Sequence, residues 1–226
     1  MSTQVLSVSL PSSTLYVSGT VNDVAYVWTN TEGNAWQTTA DRAADDLYRL
    51  ALTVIDSAGL STEISLTLYL GIANLITDRT QADVDRVRYL AQLGWAGMTE
   101  AEQAEWQTAL KGAYNADDLN RVGAAMNYVA DRLTEQGYAP SVSPKTDWSE
   151  SAWLTPDAAL VYLADLAELR RQFAMMQTTP EVPDDMERLT YQEANNIEKI
   201  LEDIDTLLTN AALAWRYSGD LFSGEV

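Results

Sequence analysis

The apolar residues of this chain change period near Gly71. Before that point they alternate every second residue, as in strands with one buried face. After Asn74 they recur at spacings of three and four, as in helices with one buried stripe. A pattern of one period does not settle into an element of the other, so one architecture cannot serve both halves. The expected fold class is α+β multidomain, with a β-sandwich over residues 1–71 and an all-α helical bundle over residues 72–226. Hydrophobic residues make up 46% of the 226, enough for each part to bury a core.

Strands are expected at about residues 5–10, 14–18, 25–30, 35–39, 47–55 and 63–70. In the strongest of them Tyr48, Leu50, Leu52 and Val54 point one way and Arg49, Ala51 and Thr53 the other, which assigns the first set to the core. Glu32-Gly33-Asn34 and Ser57-Ala58-Gly59 contain residues that tolerate positive φ and read as hairpin turns. Trp28 is the large residue assigned to the space between two sheets.

The run from Tyr48 to Ser61, with its Asp56-Ser57-Ala58-Gly59 turn, resembles the last two strands of bacterial and phage immunoglobulin-like domains. The resemblance implies an immunoglobulin-like β-sandwich of seven-strand type over residues 1–71, held by packing alone because the cysteines of antibody domains are missing. It also implies a spacer, the usual role of such domains.

The helical half divides into a three-helix unit at 72–137, a connection at 138–155 and two long helices at 156–226. Thr80 with Asp83, Thr99 with Glu102 and Thr190 with Glu193 form capping boxes, Asn115 caps a third helix, and Thr155-Pro156 sets the start of a fourth. Gly94 and Gly137 read as helix stops. The expected stripes are Val84, Val87 and Ala91; Trp106 and Leu110; Leu119, Val122, Met126, Val129 and Leu133; Tyr162, Leu166, Leu169, Phe173 and Met176; and Ala194, Ile197, Leu201, Ile204, Leu208, Ala211 and Trp215. On the last helix Ile200, Leu207 and Ala214 widen the apolar arc, which assigns them to an assembly interface as well as to internal packing. The connection holds Trp148 and Trp153 and is expected to fold back over the helices.

Asn74 to Val87, Trp106 to Asp131 with Lys111-Gly112-Ala113-Tyr114-Asn115 and Asp118-Leu119-Asn120-Arg121-Val122-Gly123, and Leu189 to Glu225 resemble segments of tail-region structural proteins from phages and prophages of Gram-positive gut bacteria. In that group such segments commonly follow an immunoglobulin-like domain. The resemblance implies a virion component of the tail or baseplate, without enzymatic activity, whose partners are other virion proteins and further copies of itself in a homo-oligomer. The alternative is an adhesion module that recognises a host-surface glycan or protein during host adsorption.

The chain contains no histidine and no cysteine. That removes the common near-neutral general base, most transition-metal ligands and every thiol nucleophile. Paired carboxylates remain available for glycoside chemistry. However, Asp45-Asp46, Asp83 with Asp85, Asp117-Asp118, Asp184-Asp185 and Asp203 with Asp205 read mostly as helix-start or solvated charges. No phosphate loop, dinucleotide fingerprint or EF-hand spacing occurs, and the Asp56 turn reads as structural. No catalytic residue, cofactor or metal is therefore expected.

Acidic residues outnumber basic ones 33 to 14, for a net charge of -19. This charge repels nucleic acid and anionic lipid head groups. No apolar run is long enough for membrane insertion, and the polar Met1-Ser2-Thr3-Gln4 start predicts no secretory leader. Trp36, Trp148 and Trp153 are the candidate ligand-stacking aromatics, whereas Trp28, Trp106 and Trp215 fall on core stripes.

Overall fold

A computed structural model describes residues 3–43, 47–108, 110–149 and 154–222, with the backbone alone at Thr108 and over 215–222. It is α+β and divides into two compact units, Met1–Asn74 and Leu75–Val226.

The first unit holds strands β1 (Thr3–Ser9), β2 (Thr14–Val21), β3 (Val24–Val27), β4 (Thr29–Glu32), β5 (Ala35–Asp41), β6 (Leu47–Asp56) and β7 (Ser61–Tyr69). They form two antiparallel sheets, ordered β1-β5-β4 and β3-β2-β6-β7. One core lies between the sheets, with Leu6, Val8 and Trp36 from one and Val17, Val21, Tyr48, Leu50, Leu52 and Val54 from the other. The alternation read in β6 holds, since Tyr48 to Val54 bury every second side chain and expose Arg49 and Ala51. Gly33 and Gly59, with φ of 56° and 77°, make the two expected hairpin turns.

Two features of this unit depart from the sequence reading. The expected third strand is two strands: its first half pairs with β2, its second half pairs with β5, and buried Trp28 stands at the switch. The second strand continues to Val21 and turns back through Asn22 and Asp23, both at positive φ, in a two-residue hairpin loop. Asn and Asp adopt that conformation at lower cost than most side chains, which is why a turn forms there without glycine. Asn22 also fixes the turn to β6, donating to the Leu47 carbonyl at 3.1 Å and accepting from the Arg49 amide at 2.8 Å.

The second unit holds α1 (Gln81–Leu93), a 3-10 turn (Trp95–Gly97), α2 (Glu100–Thr108), α3 (Ala116–Glu135), α4 (Pro156–Arg171) and α5 (Tyr191–Phe222). Each helix start carries its expected cap. Thr80 and Asp83, Asn115 and Asp118, Thr99 and Glu102, and Thr190 and Glu193 exchange side-chain and backbone bonds, and Thr155 caps α4 ahead of Pro156. Gly137, at φ 88°, ends α3, with its amide bonded to the Thr134 carbonyl and that of Tyr138 to Leu133, a Schellman pair.

Leu119, Val122, Met126, Val129 and Leu133 of α3 are buried, as are Tyr162, Leu166 and Leu169 of α4 and Ala194, Ile197, Leu201, Ile204 and Leu208 of α5. On α1 the buried residue is Leu90, and Ala91 is exposed, so the inward face lies one position earlier than expected. Helix α4 stops at Arg171, which leaves Phe173 and Met176 beyond it; Phe173 packs edge-on against Tyr138 at 5.5 Å. Leu110 likewise lies past the end of α2.

The connection folds back on α3. Asn120 donates to the Trp148 carbonyl at 2.9 Å and accepts from its amide at 2.7 Å. A Cβ placed on Gly123 would lie 2.4 Å from the Lys145 carbonyl oxygen, so this approach requires glycine.

Candidate functional site

The most concentrated chemistry in the second unit is a buried cluster of four charges. Arg79, on the segment entering α1, sends Nη2 to Asp118 Oδ1 at 2.9 Å and to Glu198 Oε1 at 2.7 Å. Arg121 reaches the same two oxygens at 2.5 and 3.0 Å. Two guanidinium groups and two carboxylates thus neutralise one another where Glu198 is 0% and Arg79 3% exposed. Such burial is tolerable only when each charge is paired and its remaining hydrogen-bonding groups are met.

Most of them are met by backbone. Arg79 also donates to the carbonyls of Ile76 and Lys111, Glu198 Oε2 accepts from the Ile76 amide, and Asp118 Oδ2 accepts from the Asn115 amide. Asn195 closes a two-way bridge with the Arg79 backbone at 3.0 Å in each direction. Burial alone disfavours the charged form of Arg121, but Glu198 and Asp118 outweigh it and raise its pKa.

Beside the cluster, Tyr114 and Tyr162 share a hydroxyl contact of 2.7 Å. Burial raises both phenol pKa values, reinforced at Tyr114 by the Glu198 charge and at Tyr162 by the neighbouring phenol. Both phenols therefore stay protonated at neutral pH and act as hydrogen-bonding groups rather than bases. The arrangement fixes the 76–79 segment, α3 and α5 to one another. Its polar atoms face inward and, apart from Arg121 Nε, are partnered within the unit, so it is a structural lock.

Helices α3 and α5 run parallel, because Arg121 meets Glu198, Arg132 ion-pairs with Asp205, and Gln136 donates to the Leu208 carbonyl. At that level α3 ends, whereas α5 continues from Leu208 to Phe222, about 21 Å further at 1.5 Å per residue. Of the assembly residues expected from sequence, Ile200 is fully buried inside the unit, Leu207 is half-buried and Ala214 is exposed. They do not form one surface. Ile200 belongs to the core, and the exposed apolar face begins further along, at Leu213, which is 46% exposed, and Ala214.

The stacking candidates separate as well. Trp36 is buried in the core of the first unit, since the alternation of β5 turns Trp36, Thr38 and Ala40 inward, and is not free to stack on a ligand. Trp148 is half-buried on the connection, with the Lys145 ammonium 5.1 Å from its ring centre. Trp153 lies outside the described residues, as do Asp45, Asp46 and the side chain of Trp215. Trp106 is half-buried.

Sequence reasoning passes over Trp95, which is 50% exposed and follows α1, a helix that also exposes Tyr89, at 47%, and Leu93. Its signal was available: it sits between Gly94 and Gly97 and belongs to no stripe. Sequence reasoning also passes over the charge cluster, whose one visible mark is Glu198 beside Ile197 on an apolar stripe.

Three of the other aspartates singled out in the sequence are engaged in local structural bonds. Asp83 accepts from the Thr80 hydroxyl and amide, Asp203 accepts from Thr179 and pairs with Lys199, and Asp56 accepts from the amides of Ala58 and Leu60. Among the described residues no group of three acidic side chains converges as a metal site, and no helix is long and apolar enough to cross a membrane. No family model matches the chain, and neither does any curated protein or solved structure.

Proposed function

We propose that the chain is a non-enzymatic structural protein of a phage tail or baseplate, found in the virion, assembling through its helical part and displaying an immunoglobulin-like module. The observation that carries this reading is the overrun of α5 past α3. The stripe that is buried at Leu201, Ile204 and Leu208 continues in sequence through Ala211, Trp215 and Phe222, beyond the level at which α3 ends. A heptad stripe that outlasts its intramolecular partner suits a second helix of the same kind.

The module assignment rests on strand order and one side chain. In immunoglobulin terms β1 to β7 correspond to B, C, C′, D, E, F and G, with B-E-D facing C′-C-F-G. Tyr48, near the start of β6, accepts a hydrogen bond from the Ala43 amide at 3.1 Å, as the tyrosine corner of such domains does at strand F. Leu50, two residues on, stands where antibody domains place their second cysteine.

Light scattering on the full chain tests the assembly role. A defined homo-oligomer is expected, and Leu213→Asp should lower its mass while leaving the circular-dichroism spectrum unchanged. A monomeric parent chain would overturn this reading. Mass spectrometry of purified particles tests the virion assignment directly.

The exposure of Trp95 and Tyr89 favours a second reading, recognition of a host-surface glycan or protein through these exposed aromatic side chains. Glycan-array binding that is lost in Trp95→Ala would select it.

A further inference from the structure

The charge cluster also fixes the floor of a surface pocket of about 340 Å³ whose electrostatics oppose those of the rest of the chain. Arg79, Arg88, Tyr114, Arg188, Tyr191 and Gln192 are among its lining residues, and none of the lining residues is acidic. In a chain with 33 acidic and 14 basic residues, three arginines and no carboxylate in one concavity is a marked inversion of charge. The three arginines differ in what they can offer. Arg79 is committed to Asp118 and Glu198 and contributes no net charge. Among the described residues Arg88 ion-pairs with Asp85 alone, end-on at 3.4 Å with both side chains largely exposed, a pairing worth little in water. Arg188 makes no ion pair among the described residues.

The walls are preorganised. The Arg79 to Asn195 bridge ties the floor to α5, and Arg79 Nε holds the Lys111 carbonyl next to Gly112. A Cβ on Gly112 would sit 2.1 Å from the Asp83 carbonyl oxygen, so the 112–114 wall lies directly against the start of α1. Exposed guanidinium groups from α1 and from the segment before α5 therefore face a rigid concavity that also offers tyrosine and glutamine side chains. Guanidinium forks match carboxylates in a paired, planar geometry. The pocket volume suits one or two side chains of a bound segment. Repulsion from the remaining negative charge is screened beyond about 8 Å at physiological ionic strength, so the local arginines decide recognition.

We propose that this pocket receives a carboxylate-bearing peptide segment of a neighbouring protein, gripped by Arg88 and Arg188.

The test titrates the full chain calorimetrically with the capped peptide Gly-Asp-Glu-Asp-Gly, with its Asn/Gln counterpart and with inorganic phosphate. The acidic peptide should bind and the amide counterpart should not. The double variant Arg88→Gln with Arg188→Gln should weaken binding at least about tenfold, as loss of two charge-assisted contacts implies. Both side chains are at the surface, so the fold should persist, which circular dichroism checks. Arg171→Gln, on α4 and outside the pocket lining, removes one positive charge and should leave binding unchanged. Absence of peptide binding at millimolar concentration overturns the proposal. So does equal binding by the double variant, or an equal loss in Arg171→Gln. Phosphate binding as tight as that of the peptide, and lost in the double variant, overturns the peptide assignment in favour of a small-oxyanion site.

Discussion

Arg79 and Glu198 stand 119 positions apart in the chain and meet at 2.7 Å, both nearly out of contact with water. The pair joins the segment entering the helical unit to the middle of its longest helix, and Arg121 and Asp118 complete a neutral set around it. Removing one member does not simply delete an attraction; it leaves the others buried without compensation. Glu198→Ala, which also strips the Ile76 amide of its acceptor, should cost about 3 to 5 kcal/mol of unfolding free energy. Urea denaturation followed at the helical signal measures it. A loss below about 1 kcal/mol would mean that the helices hold together without the lock.

In the first unit the corresponding keystone is Trp28, 5% exposed where the chain leaves one sheet for the other. Trp28→Ala empties the largest side chain of that crossing and should cost about 3 to 5 kcal/mol, as other large-to-small core changes do. The expected signature is loss of sheet structure at a lower denaturant concentration. An unchanged midpoint would place the burden on the β6 side chains alone.

Gly123 offers a test in which two principles predict opposite signs. It lies inside α3, where replacing glycine by alanine ordinarily stabilises a helix by about 1 kcal/mol. Here the added methyl would meet the Lys145 carbonyl and push the connection away from α3. Gly123→Ala should therefore destabilise, and limited proteolysis should cut the 138–149 stretch faster than in the parent chain. A stabilised variant would show that the connection yields at no cost.

What was legible in the sequence follows the range of the interaction. The caps at Thr80, Thr99, Asn115, Thr155 and Thr190 bind donors two or three residues away, so their residue types announce them. The inward set of β6 was readable from alternation, and the same rule applied to β5 turns Trp36 inward, against its assignment as a stacking residue. The sheet switch at Trp28 was not readable, because both halves of that stretch are equally extended and only their different partners separate them. Nor was the partnership of Arg79 with Glu198, since an arginine just ahead of the Thr80 cap looks like any solvated charge until the tertiary fold closes over it. The burial of Ile200 is of the same kind: periodicity gives the width of an apolar arc but not how many neighbours cover it.

The capping box of α1 makes a pH-dependent contribution whose sign is fixed by its geometry. The Asp83 carboxylate accepts from the Thr80 hydroxyl and from its amide, each at 2.7 Å, and these two bonds hold its pKa below the ordinary carboxylate value. In the unfolded chain the same group titrates near about 3.9. A folded pKa that is lowered means the charged form is favoured by folding, so the stabilisation is fully present above about pH 4 and is lost as pH falls through the lowered value. Asp83→Asn cannot titrate and keeps only a neutral acceptor. The variant should therefore melt below the parent at pH 7, and the gap should close as both are taken from pH 4 toward pH 2.5. Thermal midpoints of the two full chains, recorded side by side, isolate this group from the many other carboxylates because those titrate alike in both. A gap that stays constant over that range would show that the Asp83 charge does not support the start of α1.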